Sequence, residues 1–243
     1  MPRCPLCEQQ VESWIPHPQR SRQSPFTRAI GGVGSDLENY LCPSCQCNDR
    51  ERHLWLYMAV SGILDESRGR AILHVAPEPA IEPRLRELAG ASYVAGDLQP
   101  RRPGHRKIDV EALPFDDGHF HLIVCNHVLE HVATPQRAVA EMARCLADDG
   151  WLVAQTPYAP RLLRTFELEG ASSPEASRLF FGQEDHVRLF GADIVDLFLG
   201  AGLQGRLVPH DEALPRFDAR HWGCNPREPF FLFSKSRCPR FPS

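Results

Sequence analysis

No stretch of the chain approaches the ~20 consecutive apolar residues that a bilayer-spanning helix needs, so a membrane span is not expected. The opening Met1-Pro2-Arg3-Cys4-Pro5 has no apolar signal core, and export is not expected either. Basic charge is in short supply. The chain has 27 Lys and Arg against 31 Asp and Glu, a formal net charge of −4. Broad binding to a phosphate backbone needs clustered cations, so nucleic acid is not an expected partner. The one local cluster, Arg101, Arg102, Arg106 and Lys107, reads as a solvated loop. There is no internal repeat, which excludes a solenoid.

What is present suits a globular α/β protein. A chain of 243 residues, 42% of them hydrophobic, buries one full core with room for a modest accessory. Three textures divide it. Residues 1–48 are rich in Cys, Pro, Gly and Ser and cannot make a core unaided. Residues 49–157 alternate apolar runs with amphipathic stretches, the pattern of a parallel sheet wrapped by helices. A polar, irregular segment over 159–190 reads as an insertion capping the substrate, after which helix and strand signals resume within the same 49–243 domain.

Seven strands are predicted, over 71–76, 92–97, 107–110, 121–126, 151–156, 203–209 and 229–235. Helices are predicted over 50–63, 82–88 and 192–199. A further one is capped by Thr134, has Pro135 in its first turn, runs to Leu146 and is ended by Gly150.

Two cysteine pairs stand out in the first region, Cys4-Pro5-Leu6-Cys7 and Cys42-Pro43-Ser44-Cys45. The two-residue spacing lets both sulfurs of a turn face one point, so Cys4, Cys7, Cys42 and Cys45 are the expected ligands of one tetrahedral zinc ion. Cys47 is near enough to replace Cys45, and free thiols are the alternative to metal. A four-thiolate site has no open position, so its role would be structural. With no export signal, a reducing, cytoplasmic setting is expected for the nine cysteines.

In an open α/β sheet, ligands bind beyond the carboxyl ends of the strands. The residues there include Asp97 and Leu98 after the second strand, Asp109 and Val110 at the third, and Asn126 and His127 after the fourth. Asp97 suits a pair of ribose hydroxyls and Asp109 an adenine amine.

The run from Asp109 through Leu113-Pro114-Phe115, Phe120 and Leu129-Glu130-His131-Val132 resembles the core of class I S-adenosylmethionine (SAM)-dependent methyltransferases. Leu146-Ala147-Asp148-Asp149-Gly150 resembles that family's turn into strand five. The resemblance spans roughly residues 70–208. It implies a Rossmann-like, seven-stranded, mostly parallel sheet with helices on both faces, here with a zinc ribbon added in front. It implies that Asp97 holds the ribose, that Asp109 and Val110 hold the adenine, and that the turn after strand one holds the methionine moiety.

That turn departs from the family's glycine-rich pattern and reads Ala76-Pro77-Glu78-Pro79-Ala80, while His74 and His121 stand where the family has acids. Glu78 binds the cofactor's amino group or serves as a helix N-terminal acid. For the acceptor side, His127, His131, Tyr158, His186 and His221 are candidate bases, with His186, His127 and Tyr158 the leading three. His186 would face the methyl group from the 159–190 segment, with Arg188 orienting an anionic acceptor. The expected reaction is methyl transfer to a small molecule or modified peptide. The alternatives are an RNA-base methyltransferase, and a non-catalytic protein whose ribbon binds a partner.

Overall fold

Apolar side chains alternate between the two faces of one central sheet. Ile72, Leu122, Val124, Trp151, Val153, Phe230 and Leu232 point one way. Leu73, Val75, Ile123, Cys125, Leu152, Phe231 and Phe233 point the other. Neighbouring side chains of a strand leave opposite faces, so a sheet covered on both sides needs apolar residues at every position.

The computed structural model describes residues 1–20, 24–168 and 173–237. The strands are β1 (Ile72–Val75), β2 (Tyr93–Asp97), β3 (Arg106–Lys107), β4 (Phe120–Cys125), β5 (Leu146–Val153), β6 (Phe166–Glu167), β7 (Arg188–Leu189), β8 (Gln204–Val208) and β9 (Phe230–Ser234). Seven of them form a sheet in the order β3-β2-β1-β4-β5-β9-β8, and β6 with β7 forms a separate antiparallel pair. All neighbours in the large sheet are parallel except β9, which runs against both β5 and β8. This is the expected Rossmann-like architecture.

The helices are α1 (Pro25–Ala29), α2 (Asp49–Val60), α3 (Ile63–Glu66), α4 (Glu82–Ala89), α5 (Pro135–Cys145), α6 (Pro174–Phe181), α7 (Ile194–Gly200), α8 (His210–Ala213) and α9 (Ala219–Trp222). Helices α2 and α4 cover one face through Leu54, Met58, Leu85 and Ala89. Helices α5 and α7 cover the other through Ala138, Val139, Met142, Ile194 and Phe198. Each Leu, Met, Val, Ile or Phe among them contributes about 1.5–3 kcal/mol on full burial. None of the described helices is long and apolar enough to cross a membrane.

The N-terminal region joins the first face. Cys4, Leu6, Val11, Trp14, Cys42 and Cys47 belong to the same apolar cluster as α2 and the sheet. Arg52 of α2 locks the junction. Its fully buried guanidinium lies 4.1 Å from the centre of the Trp14 ring and donates to the carbonyls of Cys47 (2.9 Å) and Gly223 (2.7 Å). Gly223 has φ +62, and a Cβ there would meet the Trp14 ring at 2.4 Å, so only glycine fits.

Segment 159–190 builds a second small core over the carboxyl edge. Phe181, Leu189 and Ala159 are buried together against Phe166 and Phe180. Phe26 of α1 adds a ring 5.3 Å from Phe180. Residues 169–172 of this segment lie outside the described residues.

Three sequence expectations are corrected. The helix predicted to reach Leu146 stops at Cys145, because Leu146 is already extended and pairs with Phe120. Gly150 therefore lies inside β5, where a Cβ would come within 2.9 Å of the His121 carbonyl oxygen. The third strand pairs only through Arg106 and Lys107, since the chain turns at Asp109, whose carboxylate accepts from Glu111 N at 2.9 Å. Thr134 stands at the cap position without a side-chain cap, its backbone N donating instead to Glu111 Oε1 at 3.1 Å.

Candidate functional site

The two cysteine turns share one local geometry. Glu8 N donates to Cys4 O (2.8 Å) and Gln46 N to Cys42 O (3.0 Å). Glu8 and Gln46 both take left-handed backbone, at φ 60 and φ 62. Cys4 N and Cys42 N then close each turn on the carbonyls of Gln9 and Cys47. The turns bring Cys4, Cys42, Cys45 and Cys47 together, with all four sulfurs within 4.8 Å of one another. Cys7 sits at the edge of this group, 3.8 Å from Cys42.

Thiolates ~2.3 Å from a tetrahedral zinc lie ~3.8 Å apart. The Cys4–Cys45 and Cys7–Cys42 separations are both 3.8 Å, while Cys4–Cys47 is 3.5 Å and Cys45–Cys47 is 3.3 Å. The residues present fit a zinc ion, with five sulfurs available for four positions. Hydrogen bonding to Cys47 is the largest influence on Cys4 and brings its thiol down to about 4, whereas burial pushes Cys7 up to about 12.

A second group lies at the carboxyl ends of β1, β2 and β4. A cavity of about 390 Å³ is lined by Ala76, Pro77, Asp97, Leu98, Gln99, Arg101, Arg102 and His105. Ala76 has φ +47, a conformation that normally calls for glycine. Its N–H donates to Gly96 O at 2.7 Å, holding the turn against β2.

The next residues of the turn make a buried polar line. His74 Nδ1 meets the Tyr93 hydroxyl at 2.9 Å, and His74 Nε2 pairs with Glu78 Oε2. Asn126 Nδ2 donates to Glu78 Oε1 at 3.1 Å, and Asn126 Oδ1 accepts from Gln155 N at 3.0 Å. Burial pushes the Glu78 carboxyl up, but the His74 imidazole and the Asn126 amide outweigh it and leave it below the usual range. The histidine inside strand one and the acid in the following turn are thus partners. From the ribbon side, Glu51 of α2 accepts from Ala80 N at 3.0 Å and from Asn48 N at 2.8 Å, fixing the far end of the turn.

Of the other expected cofactor residues, Val110 is buried and Asp109 spends its carboxylate on its own turn. Neither lines this cavity.

The third group sits under the cap. A cavity of about 810 Å³ is lined by the first region (His17, Thr27, Arg28, Tyr40), by Arg50 and Pro157, by the cap (Arg178, Phe181, Asp185, His186), and by Asn225 and Arg227. Four arginines line it, against Glu184 and Asp185. Arg178 pairs with Glu184, which leaves the wall with an excess of positive charge.

Behind this wall lies a cluster of imidazoles and carboxylates. Glu130 Oε1 is 3.3 Å from His127 Nδ1, 3.9 Å from His186 Nε2 and 4.0 Å from His131 Nε2. His127 Nε2 is 3.7 Å from Glu228 Oε1, and Glu228 Oε2 is 3.5 Å from His53 Nδ1. Burial pushes the Glu130 and Glu228 carboxyls up, yet the imidazoles beside them prevail and hold both at about 2. Burial pushes His127 down, but the two carboxylates raise it. Its ring stands between the two acids, 3.3 Å from one and 3.7 Å from the other. Burial lowers His186.

The remaining acceptor-side residues fall elsewhere. Tyr158 lines neither cavity, its ring standing edge-on to Phe231 at 5.7 Å. His221 is tied to the ribbon through its carbonyl, which accepts from Arg3 N at 2.9 Å. Arg188 corrects the expectation that it meets an acceptor. It is 4% exposed and donates to the carbonyls of Leu129 (3.0 Å), Val132 and Ala133 (3.2 Å), clamping the turn after β4 to the cap. Glu130 and Glu228 carried no separate signal in the sequence, the first inside a family motif and the second far along the chain.

Residues 80–154 match the family described as a methyltransferase domain. The uncharacterized methyltransferase YcgJ of Bacillus subtilis (strain 168) is 40% identical over 50 residues, 21% of this chain and 20% of that protein. The aligned part is therefore about a fifth of the length of that relative. Among solved structures, the sugar N-methyltransferase KedS8 from Streptoalloteichus sp. is 17% identical, with 76% of this chain and 88% of that chain covered at a TM-score of 0.49. An S-adenosylmethionine-dependent methyltransferase from Mesorhizobium loti is also 17% identical, covering 72% and 94% at a TM-score of 0.46. Residues 80–154 are thus similar to a methyltransferase domain, and lie within a seven-stranded sheet of the order β3-β2-β1-β4-β5-β9-β8.

Proposed function

We propose that the chain is a SAM-dependent methyltransferase whose acceptor is a small molecule or modified peptide carrying negative charge. The observation that carries this reading is the arrangement at the carboxyl ends of β1, β2 and β4. There Asp97, the left-handed Ala76 turn and the Glu78–Asn126 pair converge beside a cavity. Bound there, SAM supplies the methyl group. Asp97 holds the ribose hydroxyls, and the Ala76–Glu78 turn holds the methionine end, with Glu78 kept ionised toward the cofactor's amino group. The arginine-rich cavity under the cap takes the acceptor.

Displacement at a sulfonium methyl is in-line, so positioning supplies much of the acceleration. Residues that exclude water and orient the acceptor therefore matter more than a base, and the buried cap serves that end. The ribbon thiols hold a structural zinc, with Cys45 and Cys47 competing for one position. None of the described cysteines forms a disulfide, which suits the reducing cytoplasm.

Calorimetry with SAM tests the reading. Wild type should bind, and Asp97→Ala should weaken binding by more than about tenfold, or 1.4 kcal/mol, since hydrogen bonds to a charged group are worth about 1.5–3 kcal/mol each. A wild-type protein that takes up no SAM would overturn it.

A further inference from the structure

Glu130 is 1% exposed and His186 is 2% exposed, and both carry an unpaired polar atom. Glu130 Oε1 and His186 Nε2 are buried and have no hydrogen-bond partner. The rest of each side chain is fully engaged. Thr156 Oγ1 donates to Glu130 Oε2 at 2.8 Å, which turns Oε1 toward the imidazoles. His186 Nδ1 donates to the Phe181 carbonyl at 3.1 Å, and His131 Nδ1 to the Asp185 carbonyl at 3.1 Å.

Carbonyl oxygens only accept, so both Nδ1 atoms carry their protons. In a neutral ring the Nε2 lone pair is then left free. Both lone pairs face one carboxylate oxygen, at 3.9 and 4.0 Å. His127 Nδ1 also faces Glu130 Oε1, at 3.3 Å, but it does not separate the two Nε2 lone pairs from that oxygen. These acceptors repel unless a proton or a metal ion stands between them, and a single proton can serve only one of the two pairs.

We propose that Glu130, His131 and His186 bind a divalent transition-metal ion, distinct from any metal of the thiol cluster, at the edge of the cavity under the cap. Their ligand atoms all lie within 4.8 Å of one another. Donors ~2.1 Å from a common ion lie ~3.0–3.4 Å apart, so each has to close by less than ~1 Å. His131, with its side chain 32% exposed, has the room to do so. Carbonyl bonds at both Nδ1 atoms are the usual way in which ligating imidazoles are oriented. Two nitrogens and one carboxylate favour zinc, iron, cobalt or nickel over calcium and magnesium, which prefer all-oxygen sites. Three protein ligands leave positions open. His186 and Asp185 line the large cavity, so those positions would take an oxygen donor from whatever enters it.

The test uses Co²⁺ alone, added to the folded full-length protein with its ribbon metal in place. One equivalent should bind with visible d–d bands and no thiolate-to-cobalt charge-transfer band. His131→Ala and Glu130→Gln should each weaken that uptake at least tenfold, with circular dichroism unchanged. His131→Ala keeps the test sound if Glu130→Gln misfolds. No uptake by wild type would overturn the proposal. So would uptake that shows the thiolate band and is indifferent to His131→Ala. Neither SAM nor an acceptor is present, so the result is independent of the methyltransferase reading.

Discussion

The thiol cluster and the imidazole–carboxylate cluster are built in opposite ways. Each cysteine turn closes its own backbone hydrogen bonds, and Cys4, Cys42 and Cys47 sit in the same apolar cluster as α2 and the sheet. The imidazole group makes some local bonds, such as His186 Nδ1 to the Phe181 carbonyl, but it is completed only between elements. Its members come from the turn after β4 and from the cap, brought together by the Arg188 clamp and by Val187 N donating to Glu130 O at 3.0 Å. A site closed by its own turns and buried in the core holds the chain together. One assembled between elements beside a cavity can exchange a ligand without unfolding anything.

The sharpest way to break this comparison is to remove one ligand from each side. Cys42 is fully buried, and metal-binding free energy in such elements is folding free energy. Cys42→Ser should therefore lose zinc and cost about 3–5 kcal/mol, a fall of roughly 10 °C in Tm for a chain of this size. His131→Ala should move Tm by only about 2–4 °C, because a partly exposed ring is removed together with one hydrogen bond, to the Asp185 carbonyl, worth about 1 kcal/mol. Equal losses in a melting experiment with metal analysis would dissolve the distinction.

A middling effect is expected from acid. The Glu228 carboxyl lies at about 2 in the fold against 4.5 without its neighbours, because His127 and His53 offset its burial. A depressed carboxyl stabilises the fold fully above its unfolded value. That contribution drains away as the pH falls from about 4.5 toward 2. The full swing is on the order of 3 kcal/mol. Glu228→Gln should be less stable at neutral pH and should show a flatter acid limb in urea unfolding between pH 7 and 3. Parallel limbs for the two proteins would show that the carboxylate adds nothing.

These contrasts track what the sequence discloses. Knuckle cysteines are two residues apart, so their convergence is local and readable. The sheet is readable for the same reason, since Ile72–Val75 and Phe120–Cys125 are short, nearly continuous apolar runs buried along their whole length. Glu130, His186 and Glu228 meet only because the fold joins three distant segments, and no spacing announces that. Arg188 looks like a surface charge in a polar segment, yet it is buried by the turn whose carbonyls it satisfies. Ile108 and Val110 look like strand because they are apolar. Ile108 N still donates to Asp97 O at 3.0 Å, but the chain turns at Asp109 and Val110 is buried beyond the end of the pairing.

The smallest effect separates the cofactor turn from both clusters. Ala76 adopts φ +47, where a Cβ crowds the neighbouring carbonyl and costs about 1–2 kcal/mol. Glycine would relieve that strain but would give the unfolded chain back about 0.5–1 kcal/mol of entropy. Ala76→Gly should therefore change stability by no more than about 1 kcal/mol, in the stabilising direction. The Ala76 methyl is exposed at the rim of the 390 Å³ cavity, so its loss removes no packing. The backbone N–H that meets Gly96 O is retained in the variant. SAM affinity in calorimetry should then stay within about threefold of wild type. A loss beyond tenfold would mean that the methyl itself shapes the cofactor's seat, and that this turn works by side-chain contact where glycine-rich turns work by close backbone approach.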